Sequence, residues 1–279
     1  MCTVPQLEAV RPKGTLHHNI DMNQKTNLKP MPFWQSLIGF GIPTLLGAIG
    51  LYWLLPTLAK AGVPLFWNYM VSVVGMFPLL LLFSLLAFRF EKGGISWRGL
   101  KERFRIRSLS KTDWTWTLGL MVVFVGGQLI LMPTSTWLAS ALPFPFPEWL
   151  PHALDPRVPK TSIPTEFLGE TLLGSWEIAV SYLVILLLNI IGEEFWWRGY
   201  ILPRQELKHG RYTWLIHGTL WTLFHIPFWW NLIALLPSTF SLSFVVSKMK
   251  NSTPGILVHS LMNGLGFVMI VLGILGVAK

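Results

Sequence analysis

Seven stretches of roughly twenty mostly apolar residues set the class of fold open to this chain, because such stretches are long enough to cross a bilayer as helices. In lipid, every backbone N–H and C=O must find its partner inside the structure, which leaves helices or closed barrels. We expect an all-α, polytopic transmembrane helical bundle of about seven spans, with room for an eighth element in Met132 to Leu142. The spans run roughly from Phe33 to Leu55, Phe66 to Phe88, Trp114 to Leu131 or on to Leu142, Leu172 to Leu202, Tyr212 to Trp230, Asn231 to Val246 and Pro254 to Ala278. Pro43, Pro78 and Pro133 are expected to bend their helices, Pro237 falls within the short sixth span, and Pro203 is expected to stop the fourth. Composition agrees, with 52% of the 279 residues hydrophobic and 13% charged, against about 25% charged in a soluble domain.

Residues 1–32 are polar and carry four prolines, and read as a poorly ordered tail without a cleaved signal peptide. Cys2 is the single cysteine, so no internal disulfide and no Cys-based metal cluster can form. Residues 33–171 form an N-terminal scaffold, and residues 172–279 hold the ionisable residues that chemistry needs. Within the scaffold, the 89–111 loop holds eight basic residues interleaved with Ile95, Trp97, Leu100, Phe104 and Ile106. It reads as an interfacial segment on an anionic leaflet or as a plain cytoplasmic loop, with no specific partner. The proline-rich loop 143–164 reads as a connector in preference to a cap over a cavity.

With the N-terminus inside, 18 of the 22 Lys and Arg residues fall on the inner side and 4 on the outer. That asymmetry is the positive-inside pattern and supports an odd number of spans. The net charge of +9 therefore reports topology on a lipid bilayer, and no nucleic-acid partner is expected.

Ionisable residues within spans are rare, and by default they mark function. The first three spans have none, while the later ones carry Glu177, Glu193, Glu194, Arg198, His217, His225 and His259. Three clusters recur in order: Glu193-Glu194-xxx-Arg198, Trp221-xxx-His225 and His259-xxx-Asn263. The i, i+4 spacing within Glu194/Arg198, Trp221/His225 and His259/Asn263 puts both members on one helix face. Glu193 points about 100° away from Glu194, so one carboxylate can be held by Arg198 while the other stays available. Measured along helices from the presumed inner ends, these residues lie roughly 8 to 21 Å deep, so one inward-opening cavity can contain them.

A carboxylate beside a neutral imidazole can hold and deprotonate a water, and His259 with the Asn263 amide can donate to the oxyanion formed when that water attacks a carbonyl. Other protease chemistries fit less well. HExxH is absent, Asp21, Asp113 and Asp155 lie outside the spans, and Ser260 is on the wrong face to pair with His259. His217 and Glu177 read as helix-packing or span-end residues, and the cluster Trp221, Trp229 and Trp230 as interfacial and packing aromatics more than a substrate cage.

Gly192 to Arg204 resembles the first motif, EExxxR with a common bacterial flank, of the CAAX protease and bacteriocin-processing family of intramembrane glutamic endopeptidases. Leu220 to Pro227 is similar to its second motif, with Trp221 in place of the usual Phe, and His259 to Asn263 to its third. The resemblance covers roughly Leu172 to the C-terminus. It implies that Glu193 is the water-activating base with His225, that Glu194 and Arg198 shape the site, and that His259 and Asn263 form an oxyanion hole. Trp197 and Trp221 are assigned to the substrate cavity. The implied substrate is a peptide or lipid-modified protein, prenylated or hydrophobic at its tail, and the implied location is a bacterial plasma membrane with the N-terminus cytoplasmic. No cofactor is expected, with zinc as the less favoured alternative, because Asn is a poor zinc ligand and Arg198 disfavours a nearby cation. A non-proteolytic immunity or scaffold protein of the same fold is the alternative function.

Overall fold

The computed structural model describes residues 28–92, 96–142, 146–159 and 162–277, so all but the last five residues of the expected N-terminal tail lie outside it. The bundle is inside-out relative to a soluble protein. Val122, Leu129 and Ile130 project outward, more than two-thirds exposed, while Ser36, Asn68, Ser72 and Ser84 are buried. Such a surface is stable only in lipid, and the chain is a multi-pass integral membrane protein.

The helices are α1 (Phe33–Lys60), α2 (Leu65–Glu91), a short α3 (Trp97–Arg103) and α4 (Lys111–Ala141). After a two-strand hairpin, β1 (Glu166–Phe167) and β2 (Glu170–Thr171), come α5 (176–209), α6 (Thr213–Phe224), α7 (Leu232–Met249) and α8 (Thr253–Ile274). α2 and α8 pack against α5, and α7 packs against both α4 and α6. Six stretches of the described residues are long and apolar enough to cross a membrane, and one of them, Trp176–Phe224, is α5 followed by α6. Gly210, at φ 56 and ψ −129, adopts a conformation that L residues avoid and turns the chain back there. The reversal is visible in the contacts it permits: His217 Nδ1 lies 2.7 Å from Gln205 Oε1, and the Trp221 indole reaches back to Glu193.

Proline acts differently from the sequence expectation. Pro203 does not stop the fourth span, which continues to His209. Instead a wide, π-helical turn, Glu194–Ile201, ends two residues before it. The same arrangement occurs at Gly50–Leu54 before Pro56, and a further wide turn, Met70–Val74, ends four residues before Pro78. A proline withholds the N–H that the carbonyl four residues back would accept, and widening the preceding turn shifts the bonding by one residue. Pro133 is absorbed within α4, which runs unbroken to Ala141, so Met132 to Leu142 is no separate element. The fifth span is shorter than expected: its helix ends at Phe224, and 3-10 turns over Ile226–Asn231, with Phe228 at φ −108 and ψ 53, lead into α7.

Both loops do more than connect. The proline-rich loop, with the hairpin behind it, walls a cavity of about 730 Å³ between Leu65, Tyr182 and Ile270, where a plain connector was expected. The basic loop docks on the protein: Arg103 binds Glu91, Arg105 binds Glu206, and Arg107 donates to Met249 O. α4 lies between the two loops, so they sit at opposite ends of the bundle. Single cysteines introduced at Ser96 and Ser162 in a Cys2→Ser background are expected to react with an impermeant maleimide from opposite sides of the membrane. Labelling of both from one side would break this arrangement.

Candidate active site

The two adjacent carboxylates are buried and go to different partners. Glu193, the last α-helical residue before the wide turn, accepts three N–H bonds. Asn189 Nδ2 donates to Oε1 at 3.1 Å, and the indole N–H groups of Trp197 and Trp221 donate to Oε2 at 3.2 and 3.0 Å. An ionised carboxylate offers about four lone-pair positions. Three donors fix its orientation and leave about one position for a water.

Glu194 turns to the other face. Its Oε1 lies 3.2 Å from Arg198 Nη1 and 2.9 Å from His259 Nδ1. The Arg198 side chain is wholly buried, and its guanidinium carbon stands 3.4 Å from the centre of the Trp221 ring. Charge pairing and the aromatic face thus share the task of holding a cation in the bundle interior. The i, i+4 pairing read from the sequence holds even though the intervening turn is wide.

The third cluster joins the first. Because the Glu194 carboxylate accepts from Nδ1 of His259, Nε2 of that ring is free to accept, and Asn263 Nδ2 donates to it at 3.0 Å. Asn263 Nδ2 also donates to Asn189 Oδ1 at 3.0 Å. The bonds therefore form one chain, Glu194 to His259 to Asn263 to Asn189 to Glu193, linking the two carboxylates through α5 and α8. Asn189 was not singled out in the sequence, although it is the only polar side chain from Leu183 to Ile191 and stands four residues before Glu193.

His225 comes from a helix end. Its Nδ1 donates to the Trp221 carbonyl at 2.8 Å, which leaves Nε2 as an acceptor. The helix stops there because Pro227 has no N–H for the Leu223 carbonyl. Non-helical backbone at membrane depth is tolerated where protein covers it, and Tyr52 from α1 donates to the Pro227 carbonyl at 2.7 Å.

Two readings change in this light, and a third holds. Trp197 and Trp221, assigned to a substrate cavity, are buried at 0% and 4% exposure and serve as donors to Glu193. Phe40 stacks on Trp197 at 4.2 Å and fixes its plane. The Trp that replaces the usual Phe of the second motif thus brings an N–H that Phe lacks. Asn263 has both amide hydrogens engaged, so an oxyanion hole is not preset in this state. His217 bonds Gln205 in the interior, the helix-packing role expected of it.

Among the described residues no three His, Cys, Asp or Glu side chains converge as a metal site would require. Both His259 ring nitrogens are hydrogen-bonded, to Glu194 and to Asn263.

Residues 175–265 match the Rce1-like family, described as type II CAAX prenyl endopeptidases. The match is consistent with the CAAX protease and bacteriocin-processing resemblance and spans every residue of the linked network. No curated protein and no solved structure matches the chain. The Rce1-like segment includes all of α5, α6 and α7 and more than half of α8, and the family is one of membrane-embedded proteases.

Arg198→Ala would leave Glu194 buried with only His259 beside it. A loss of about 3–5 kcal/mol in stability is expected, as when a buried ion pair loses one partner. The measurement is thermal unfolding in detergent, and an unchanged midpoint would mean that Glu194 is not held as an ion.

Proposed function

We propose that this protein is an intramembrane endopeptidase in which Glu193 and His225 activate a water, with residues 172–279 as the catalytic core and residues 33–171 as its scaffold. The observation that carries the proposal is Glu193 itself, a carboxylate held in the bundle interior by three N–H donors, with no ion pair of its own among the described residues. A merely structural role would leave that arrangement without a use. The match to a prenyl endopeptidase family model supports a peptide substrate with a prenylated or otherwise hydrophobic tail, drawn from a lipid-anchored protein.

The reaction runs without a covalent intermediate. Glu193 takes a proton from the water while His225 Nε2 accepts a hydrogen bond from the other hydrogen, and the oxygen attacks the scissile carbonyl carbon. The oxyanion so formed is met by Asn263, which exchanges its bond to His259 or Asn189 for one to the substrate oxygen. Glu193 then delivers its proton to the leaving nitrogen, the C–N bond breaks, and a new carboxylic acid, which keeps the water's second proton until it ionises, and an amine result. Glu194, Arg198 and His259 hold the geometry. No metal has a part in this scheme. The basic asymmetry supports a cytoplasmic N-terminus, which puts the 89–111 loop and the mouth of the site on the cytoplasmic side.

Glu193→Gln keeps the size of the side chain but removes the base. Because the amide can still accept from both indoles, the fold is expected to survive. Turnover of a prenylated or hydrophobic-tailed peptide library, read by mass spectrometry, is expected to fall by at least about 10². Cleavage undiminished in the variant would exclude Glu193 as the base. Absence of cleavage by the wild type, with the cellular phenotype intact in the variant, would favour the scaffold role.

A further inference from the structure

The wide turn Glu194–Ile201 carries Glu194, Trp197 and Arg198, and immediately follows Glu193. Such a turn bonds each carbonyl one residue further on than regular helix, as Leu202 N–H does to Trp197 O, and is uncommon outside functional sites. Gly199 has no regular helical donor, because the residue four further on is Pro203, which has no N–H to give the Gly199 carbonyl.

The missing donor comes from outside the Rce1-like segment. Arg103, at the end of α3, donates Nη1 to the Gly199 carbonyl at 2.5 Å. The other atoms of the same fork, Nε and Nη2, bind the two oxygens of Glu91 at 2.6 and 3.2 Å, and Glu91 also receives Arg204. The Arg103 side chain is 1% exposed. A guanidinium can serve both partners at once, whereas an ammonium on a single stem offers no such fixed fork.

The neighbouring residue closes the contact. The Phe104 ring lies under Gly199 so tightly that a Cβ there would stand 2.4 Å from it, and it packs on Phe195 at 4.4 Å between ring centres. The chain then proceeds to α8. The Arg105 carbonyl accepts from Ser252 N–H at 2.8 Å, and the Arg107 carbonyl accepts from the Thr253 hydroxyl at 2.7 Å. One loop therefore touches both the turn that carries Glu194 and the start of the helix that carries His259 and Asn263.

We infer that Arg103 is a positioning residue for the site: it donates to the carbonyl whose regular helical donor Pro203 removes, and so fixes the register of the turn that aims Glu193 and Glu194. This assignment rests on the endopeptidase reading for its catalytic consequence, but its structural half is independent of it. The basic loop at 89–111 then has a task beyond membrane topology. Three of its arginines are spent on the protein, and the catalytic geometry depends on a segment outside the region that the family model matches.

Arg103→Lys separates this role from plain ion pairing, since Lys keeps a charge opposite Glu91, and with it the fold, while losing the simultaneous bond to Gly199. Hydrogen exchange read by mass spectrometry is expected to quicken at least about tenfold over residues 194–202 in Arg103→Lys. On the assigned reaction, kcat is expected to fall about tenfold to a hundredfold with KM nearly unchanged, as for a small misplacement of the reacting groups. Adding Pro203→Ala supplies an N–H at the position that lacks one, and is expected to restore much of the protection and at least threefold of the lost kcat. Arg98→Ala, which removes only an exposed pair with Glu102, serves as the control with wild-type exchange and rate. Wild-type exchange over 194–202 in Arg103→Lys would overturn the inference, and so would failure of Pro203→Ala to restore it. Should the endopeptidase reading itself fail, the wild type shows no cleavage and the exchange arms still decide the role of Arg103.

Discussion

Two adjacent carboxylates and a guanidinium lie inside an apolar bundle, and most of the local structure follows from the cost of putting them there. An unpaired charge in such a place would be neutralised or would unfold the site. The solution here is division. Glu194 takes the cation and an imidazole, while Glu193 takes three neutral N–H donors. The charge of Glu193 is thus accommodated without being cancelled, and that is the condition a buried base must meet. Asn189 and Asn263 bind the two halves together, so neither carboxylate can move without disturbing the other.

The backbone supports this division through irregularities. The wide turn places Glu194, Trp197 and Arg198 at spacings that regular helix would alter, and the break after Phe224 leaves His225 at a helix end. Both irregularities trace to prolines, Pro203 and Pro227. Residues distant in sequence support both, Arg103 at the Gly199 carbonyl and Tyr52 at the carbonyl of Pro227. The N-terminal half is therefore more than a membrane anchor. It supplies Phe40 against Trp197, Tyr52 on the broken helix and Arg103 on the wide turn.

Much of this was legible in the sequence because the governing constraints are local. Length and hydropathy defined the spans, and i, i+4 spacing gave the Glu194–Arg198 and His259–Asn263 pairs. What escaped needed contacts across the chain. Asn189 stood alone in an apolar run and had no visible partner until α8 was packed against α5. The indole groups of Trp197 and Trp221 read as cavity wall, since nothing in one dimension shows that both point at Glu193. Pro203 read as a stop because a wide turn leaves no pattern in residue types. The basic loop read as an interfacial or plain cytoplasmic segment because its docking on the protein needs folded contacts: Arg103 folds back on Glu91 at the end of α2, and Arg105 meets Glu206 about a hundred residues on.

The central claim is that a water held by Glu193, and no enzyme side chain, attacks the substrate. A single turnover in water enriched in ¹⁸O tests it most directly, with the isotope located by mass spectrometry in both product and protein. The account predicts one ¹⁸O in the new product carboxylate and none in residues 189–198. Isotope in the Glu193 carboxylate would show that Glu193 had itself attacked as a nucleophile and been released by hydrolysis, and would contradict it.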